Sequence, residues 1–291
     1  MAVQAQTRPT RRTDVAMPPV FVVLWSSAFI AGVVGVGAAP PLFLTASRFL
    51  LAAVLLTGYA LAVRAPWPKG RELAHVAVSG LLVLGVQFGA MYTALGMGLP
   101  AAIVALVQGL NPVIVALAAG RLLGERVTVR QWAGFGLGAL GVVLAVSDRL
   151  SMSLAGLVLC VVGLLGMSLG TIYQKRYAGG MDVRTGTAVQ FLVSGPAVGL
   201  ASLLWENPVV TDGAAFTWAL LWLGLVNSVG VFLLLNTMIA RWPASRVSTM
   251  FFLTPSVTAV MAWLLVGQAL HPLAVVGLVV GGAGVLIANR R

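Results

Sequence analysis

Charge is what this chain has least of: 9% of its 291 residues are Asp, Glu, Lys or Arg, where a water-soluble domain carries roughly 25%. A surface drawn from that composition would be too apolar to stay in water. Only seven residues are acidic, and all of them fall in the gaps between apolar runs. No paired carboxylates are therefore available inside the runs for metal–diphosphate chemistry, and no buried carboxylate is available for a proton relay. The single cysteine, Cys160, excludes an intramolecular disulfide and a multi-cysteine metal site. Its place in an apolar run suits a small packing residue. His75 and His271 fall at opposite ends of the expected spans, so they cannot hold one metal ion. No catalytic residue, metal or cofactor is expected. The segment Met1–Asp14 is polar and lacks the apolar core of a signal peptide, so a short tail is expected over 1–16. A net charge of +11 suggests nucleic acid as a partner. However, the charges are scattered through short gaps with no nucleic-acid-binding motif, and such a partner is not expected.

What is abundant is apolar sequence, 59% of the chain, in runs that match the roughly 20 residues a helix needs to cross a bilayer. Broken at charges and Pro/Gly clusters, the runs predict an all-α integral membrane protein of ten transmembrane helices. Their spans are 17–36, 41–63, 74–94, 99–119, 129–147, 153–174, 185–205, 214–240, 244–266 and 272–288. Short cytoplasmic loops collect Lys and Arg. Sixteen of the eighteen basic residues lie in alternate gaps: the tail with Arg8, Arg11 and Arg12, then 64–71, 121–130, 175–184, 241–246 and 290–291. The intervening gaps hold only Arg149, and Arg48 is left within a helix. Both termini are thus expected in the cytoplasm. Trp67, Trp132, Trp205, Trp218 and Trp242 fall near span ends, as interfacial rings do, whereas Trp25 lies well inside the first span.

The chain also repeats itself. Displacing it by 143 residues brings Pro100 onto Pro243, Pro112 onto Pro255, and Gly134, Gly138 and Gly141 onto Gly277, Gly281 and Gly284, without a gap. A displacement of 142 sets Arg48-Phe49-Leu50 against Gln190-Phe191-Leu192. A unit of five helices is odd, so the second copy must enter the membrane from the other side. The loops agree, because the basic gap GRLLGERVTVR has a counterpart, VGQALHP, without Lys or Arg, and uncharged GMGLP has the basic counterpart ARWPASR. The expected architecture is two inverted repeats, 17–147 and 153–288. Such halves supply two near-equivalent states, each open to one side.

The residues from Pro100 to Ser147, with Asn-Pro at 111–112, GRLLGER at 120–126 and the glycines of QWAGFGLGALGVVL, resemble the EamA repeat of the drug/metabolite transporter superfamily. LWSSAFI in the first span and the Pro41…Arg48 pattern of the second resemble the opening of the same domain. Two such units account for essentially the whole chain. The resemblance implies a secondary transporter in the bacterial cytoplasmic (inner) membrane, and the length and layout are similar to amino-acid and metabolite exporters, including the aromatic amino-acid branch. Gln268 stands where the first copy has Glu125, which weakens any role needing a carboxylate at the outer end. Export of amino acids or related metabolites is the leading expectation. Other solutes, such as cationic drugs or purines, are the alternative. An intramembrane lipid-modifying enzyme or a channel is more remote, since the interior lacks paired acids, a nucleophile–base pair and any ring of charge. The expected partners are a small-molecule substrate and membrane lipid, with the chain a monomer or a homodimer.

Candidate binding residues are the polar and aromatic groups inside the runs. Arg48, seven residues beyond Pro41 and thus roughly 10 Å deep, fits a counter-ion for a substrate carboxylate, or a side chain that snorkels to the surface. Trp25 and Ser27 in the first span fit stacking and hydrogen bonding to a ligand, while Tyr92 fits either the cavity or the aromatic belt. Gln87, Gln108, Asn111, Asn227, Ser228 and Thr254 fit substrate contacts or interhelical hydrogen bonds. Pro112 and Pro255, expected in mid-helix, fit a helix break or hinge that frees carbonyls. The glycines of the fifth and tenth spans fit close packing within a half or across a dimer.

Overall fold

The computed structural model describes residues 12–115, 128–147, 154–242, 247, 250–251, 253–268 and 272–289. Arg8, Arg11, Arg121, Glu125, Arg126, Arg149, Pro243, Arg246, His271, Arg290 and Arg291 lie outside the described residues. Among the described residues every element is helical: α1 (Arg12–Ala38), α2 (Pro41–Ala62), α3 (Gly70–Gly96), α4 (Ala101–Gln108), α5 (Val129–Ser147), α6 (Leu154–Tyr177), α7 (Val183–Trp205), α8 (Gly213–Arg241), α9 (Thr254–Val266) and α10 (Pro272–Asn289). Six stretches are long and apolar enough to cross a membrane: Ala16–Ala38, α2, α3, α6, α7 and α8. Ala101–Val115, Thr254–Val266 and Val275–Gly284 are shorter apolar helices.

Local chemistry sets the ends. Pro41 opens α2 in the first turn, where a missing N–H costs nothing. The first turn of that helix is then closed from outside it. Leu42 and Phe43 donate their backbone N–H groups to the two carboxylate oxygens of Glu206, at 2.9 Å each. Ser202 Oγ holds the same carboxylate at 3.0 Å, so the end of α7 is tied to the start of α2. Asp182 and Asp212 cap α7 and α8 in the same manner, through Arg184 N and through Ala214 N and Ala215 N. Gly267, with φ of 65°, ends α9 in the left-handed conformation that glycine reaches without strain.

Two helices widen into π turns, α3 over Leu81–Val86 and α8 over Trp222–Val231. Displaced by 143 residues, the first falls inside the second. The prolines expected in mid-helix stand elsewhere: the chain turns at Gly109 and Leu110, and helix resumes at 111–115, with Pro112 in its opening turn. Leu253 N and Thr254 N make i→i−3 bonds of 3.2 and 3.3 Å before α9 begins with Pro255 near its start. Each proline thus sits where helix N–H groups are unpaired anyway, and the break precedes it.

The helices pair in exchanged couples. α1 packs on α8 and α6 on α3; α1 packs on α9 and α6 on α4; α2 packs on α8 and α7 on α3. α2 with α7, α4 with α9 and α5 with α10 pair directly. The α5–α10 contact is close enough to require glycine at both crossings. A Cβ at Gly141 would lie 2.5 Å from the Gly277 carbonyl oxygen and 2.8 Å from Gly281 N. One at Gly284 would lie 2.5 Å from the Gly134 carbonyl oxygen and 2.9 Å from Gly138 N. The glycines of the fifth and tenth spans therefore pack on each other within one chain. One aromatic-rich core joins α1, α2, α3, α7 and α8, and the site lies within it.

Candidate functional site

Arg48 sits two turns into α2 and is 1% exposed, so it does not snorkel to the surface. Its guanidinium carbon lies 4.3 Å from the Phe88 ring centroid, 4.8 Å from Tyr92 and 4.9 Å from Phe49. Nη1 donates to Tyr92 Oη at 3.0 Å, and Tyr92 Oη donates to the Ala28 carbonyl at 3.0 Å. Nε has no partner, and among the described residues no carboxylate stands against this cation. An arginine at mid-helix costs about 2.5–3.5 kcal/mol on insertion scales. Three ring faces, at about 0.5–2 kcal/mol each, offset a cost of that size. Tyr92 is fully buried rather than part of an interfacial belt. Gly32 makes room for it, since a Cβ there would lie 2.6 Å from the ring.

The wall beyond Arg48 is aromatic. Trp25 lies 4.9 Å from Phe251, edge to face, and 5.8 Å from Phe232 and 6.1 Å from Phe88 between ring centroids. Trp25, Ala28, Phe29, Arg48, Phe88, Met91, Asn227, Val231 and Phe232 line one small cavity. Asn227 reaches it from the π turn of α8. Its Nδ2 donates to the Leu24 carbonyl at 2.6 Å, while its Oδ1 is buried without a partner. The neighbouring Ser228 Oγ is likewise buried and unpartnered. Ser27 is committed elsewhere: it accepts from Trp222 Nε1 at 2.9 Å and donates to the Leu24 carbonyl at 2.6 Å.

The remaining sequence candidates gather in a second region. Gln87 Nε2 reaches Met167 Sδ at 3.3 Å and Gln108 Nε2 the Cys160 carbonyl at 3.4 Å, so both lean on α6. Their Oε1 atoms are buried without partners, as are Asn111 Oδ1 and Thr254 Oγ1 at the two chain breaks. The breaks themselves touch, because a Cβ at Gly109 would lie 2.8 Å from the Pro255 ring. Of the residues singled out by sequence, then, Trp25, Arg48, Tyr92 and Asn227 come together, and Gln87, Gln108, Asn111 and Thr254 do not join them.

Sequence reasoning missed two groups. Phe88 and Phe232 build the cavity wall, but nothing in a sequence separates such phenylalanines from ordinary core. The second is a buried amide network at the opposite end of the bundle from Glu206. Gln190 Nε2 donates to Ser79 Oγ at 3.0 Å and to Gln174 Oε1 at 3.1 Å, and Gln174 Nε2 donates to Asn236 Oδ1 at 3.0 Å. Asn236 Nδ2 donates in turn to Thr187 Oγ1 at 2.7 Å and to Gln190 Oε1 at 3.2 Å. Gly80 permits this approach, since a Cβ there would lie 2.7 Å from the Gln190 Cα. The available signal was the register that sets Gln190 against Arg48.

Comparison with known proteins supplies the wider setting. A family model described as "EamA-like transporter family" matches residues 20–147 and again 154–290. The "Probable amino-acid metabolite efflux pump" of Escherichia coli K12 is 26% identical over 291 residues, covering 95% of this chain and 94% of that protein. The "Probable terminal-alkyne amino-acid exporter" of Streptantibioticus cattleyicolor is 29% identical over 281 residues, covering 93% and 91%. The "Uncharacterized inner membrane transporter YedA" of Escherichia coli K12 is 26% identical over 183 residues, and the match spans 59% of that protein's length. A solved crystal structure superposes with a TM-score of 0.73 at 21% identity, covering 96% of this chain and 97% of that one. At that identity the likeness is one of fold.

Proposed function

The chain belongs to the EamA-like transporter family, and from that premise we propose that it exports amino acids or closely related metabolites across the bacterial inner membrane by alternating access. The observation that carries this reading is Arg48, a buried cation among aromatic faces with no carboxylate against it among the described residues. A substrate carboxylate is the group that completes such a site, since a charge-assisted bond to guanidinium is strong when both partners leave water. Trp25, Tyr92 and Asn227 form the rest of the binding site. A cationic drug would meet Arg48 as a like charge, and a purine would stack but leave the cation unpaired, so both fit less well. The names of the two long relatives, an amino-acid efflux pump and an amino-acid exporter, agree with this substrate class.

The mechanism rests on two five-helix halves of opposite topology, ten spans in all, with both termini cytoplasmic. The double family match, the exchanged helix couples, the paired π turns and the reciprocal glycine crossings support that relation. The alternate basic gaps support the orientation. The open acceptors of Gln87, Gln108, Asn111, Ser228 and Thr254 are read as polar stations along the path, and the breaks before Pro112 and Pro255 as its hinges. No acid lies inside the apolar runs of the sequence, which favours facilitated export or exchange over obligatory proton coupling.

The test is flux in proteoliposomes across amino acids, nucleosides and cationic drugs, for the wild type and Arg48→Gln. Saturable amino-acid counterflow is expected, reduced more than about tenfold in the variant, because losing one partner of a buried charge pair costs about 2–5 kcal/mol. A panel in which no amino acid moves overturns the reading. Flux without saturation or counterflow makes the protein a channel instead.

A further inference from the structure

We infer that Asn227 is the specificity residue that makes the Arg48 cavity select α-amino acids over carboxylates lacking the amine, by accepting a hydrogen bond from the substrate ammonium at Oδ1. The inference rests on the carboxylate reading of Arg48. The starting observation is an unpartnered acceptor. Asn227 is 4% exposed, its Oδ1 has no hydrogen-bond partner, and it lines the same cavity as Arg48. The two ends of an asparagine amide can be told apart only by their surroundings. Here the Leu24 carbonyl at 2.6 Å decides, because only the NH2 end can donate to it. Turning the amide over would set two oxygens against each other. Oδ1 is therefore fixed as the free end, and the orientation does not depend on a ligand.

Arg48 supplies donors and Asn227 Oδ1 an acceptor, so the cavity carries both halves of a zwitterion's complement. The rest of its lining is apolar; closed as it stands, the cavity has room for about one water molecule, so an amino acid enters it only when the helices part. A carboxylate without the amine would satisfy Arg48 and leave Oδ1 buried and unpaired. That penalty is a difference between two ligands and therefore a basis for selection. The π turn of α8 matters here too. It shifts the helix's side-chain phase over Trp222–Val231, and Asn227 is carried within that stretch.

The experiment measures binding to the purified full chain in detergent, with phenylalanine, 3-phenylpropionate (no amine) and phenylalaninamide (no carboxylate) as probes. Wild type, Asn227→Leu and Asn227→Gln are compared. The wild type is expected to bind phenylalanine about tenfold or more tighter than 3-phenylpropionate. Asn227→Leu is expected to erase that ratio while holding 3-phenylpropionate within about twofold of wild type. Asn227→Gln keeps an amide, with a donor for the Leu24 carbonyl and an acceptor for the ammonium, and should keep part of the preference. Preference retained in Asn227→Leu overturns the inference and leaves the carboxylate reading standing. An equal loss for both acids in Asn227→Leu, or a preference no larger in Asn227→Gln than in Asn227→Leu, also overturns it, by assigning Asn227 to packing. Wild-type binding of phenylalaninamide at the strength of phenylalanine, or of no acid at all, overturns the carboxylate reading and this inference with it.

Discussion

At the scale of single residues, three of the acids act as helix caps rather than as interior chemistry. Glu206, Asp212 and Asp182 each accept backbone N–H groups at a helix start. For Asp182 the Arg184 side chain, which gives hydrogen bonds of 3.0 and 2.6 Å, holds the carboxyl below its ordinary value, and the backbone N–H of Arg184 adds to this. A carboxyl lowered in the folded state contributes stability that is complete above its ordinary value near 4 and fades as pH falls through the lowered one. Comparing thermal stability of the wild type and Asp182→Ala in detergent should therefore show a gap at pH 7 that closes below about pH 4. A gap that stays constant to lower pH would assign the effect to something other than this carboxylate. The residues of the proposed site were legible at this scale for one reason. Trp25, Arg48, Tyr92 and Asn227 are polar or amphipathic groups in apolar runs, where each must find a partner. Their aromatic neighbours carried no such mark.

At the scale of elements, apolar run length was a guide to several spans, while those expected at 99–119 and 244–266 break before Pro112 and Pro255. The spans expected at 41–63, 129–147 and 185–205 are Pro41–Ala62, Val129–Ser147 and Val183–Trp205 in the structure. The position of a break was less legible, because a proline signals a break without saying on which side it falls. The amide network was hardest to see. Gln174 and Asn236 lie near the ends of their spans, where a sequence reading takes polar side chains to face headgroups, and only helix pairing turns them inward. Since each amide there is bonded, removing one strands its partners. Asn236→Ala leaves Gln174 Nε2 without its acceptor and should destabilise the protein by about 1–3 kcal/mol. Unfolding in detergent–denaturant mixtures reads this directly, and an unchanged midpoint would mean that water replaces the lost bonds.

At the scale of the whole molecule, the α5–α10 crossing joins the middle of the sequence to its C-terminal stretch. Gly141→Ala and Gly284→Ala each place a methyl group within 2.5 Å of a backbone oxygen on the opposite helix, and backbone cannot yield as a side-chain tip can. Such overpacking costs about 1–3 kcal/mol. Gly136→Ala, with nothing within 4 Å of the added carbon, is the internal control, and helix propensity alone should make it neutral or slightly stabilising. Equal melting of all three variants would show that the crossing tolerates separation.

The same crossing has a consequence for how the protein is made. The glycine face of α5 leaves the ribosome about 140 residues before the face of α10 that covers it. At roughly 5–20 residues per second, α5 waits on the order of ten seconds for its mate. During that interval its groove is open to lipid, to a chaperone or to the same groove on another nascent chain. A message cut short just before α10 would leave that groove uncovered for good, and quality control has a natural mark there by which to tell finished chains from unfinished ones.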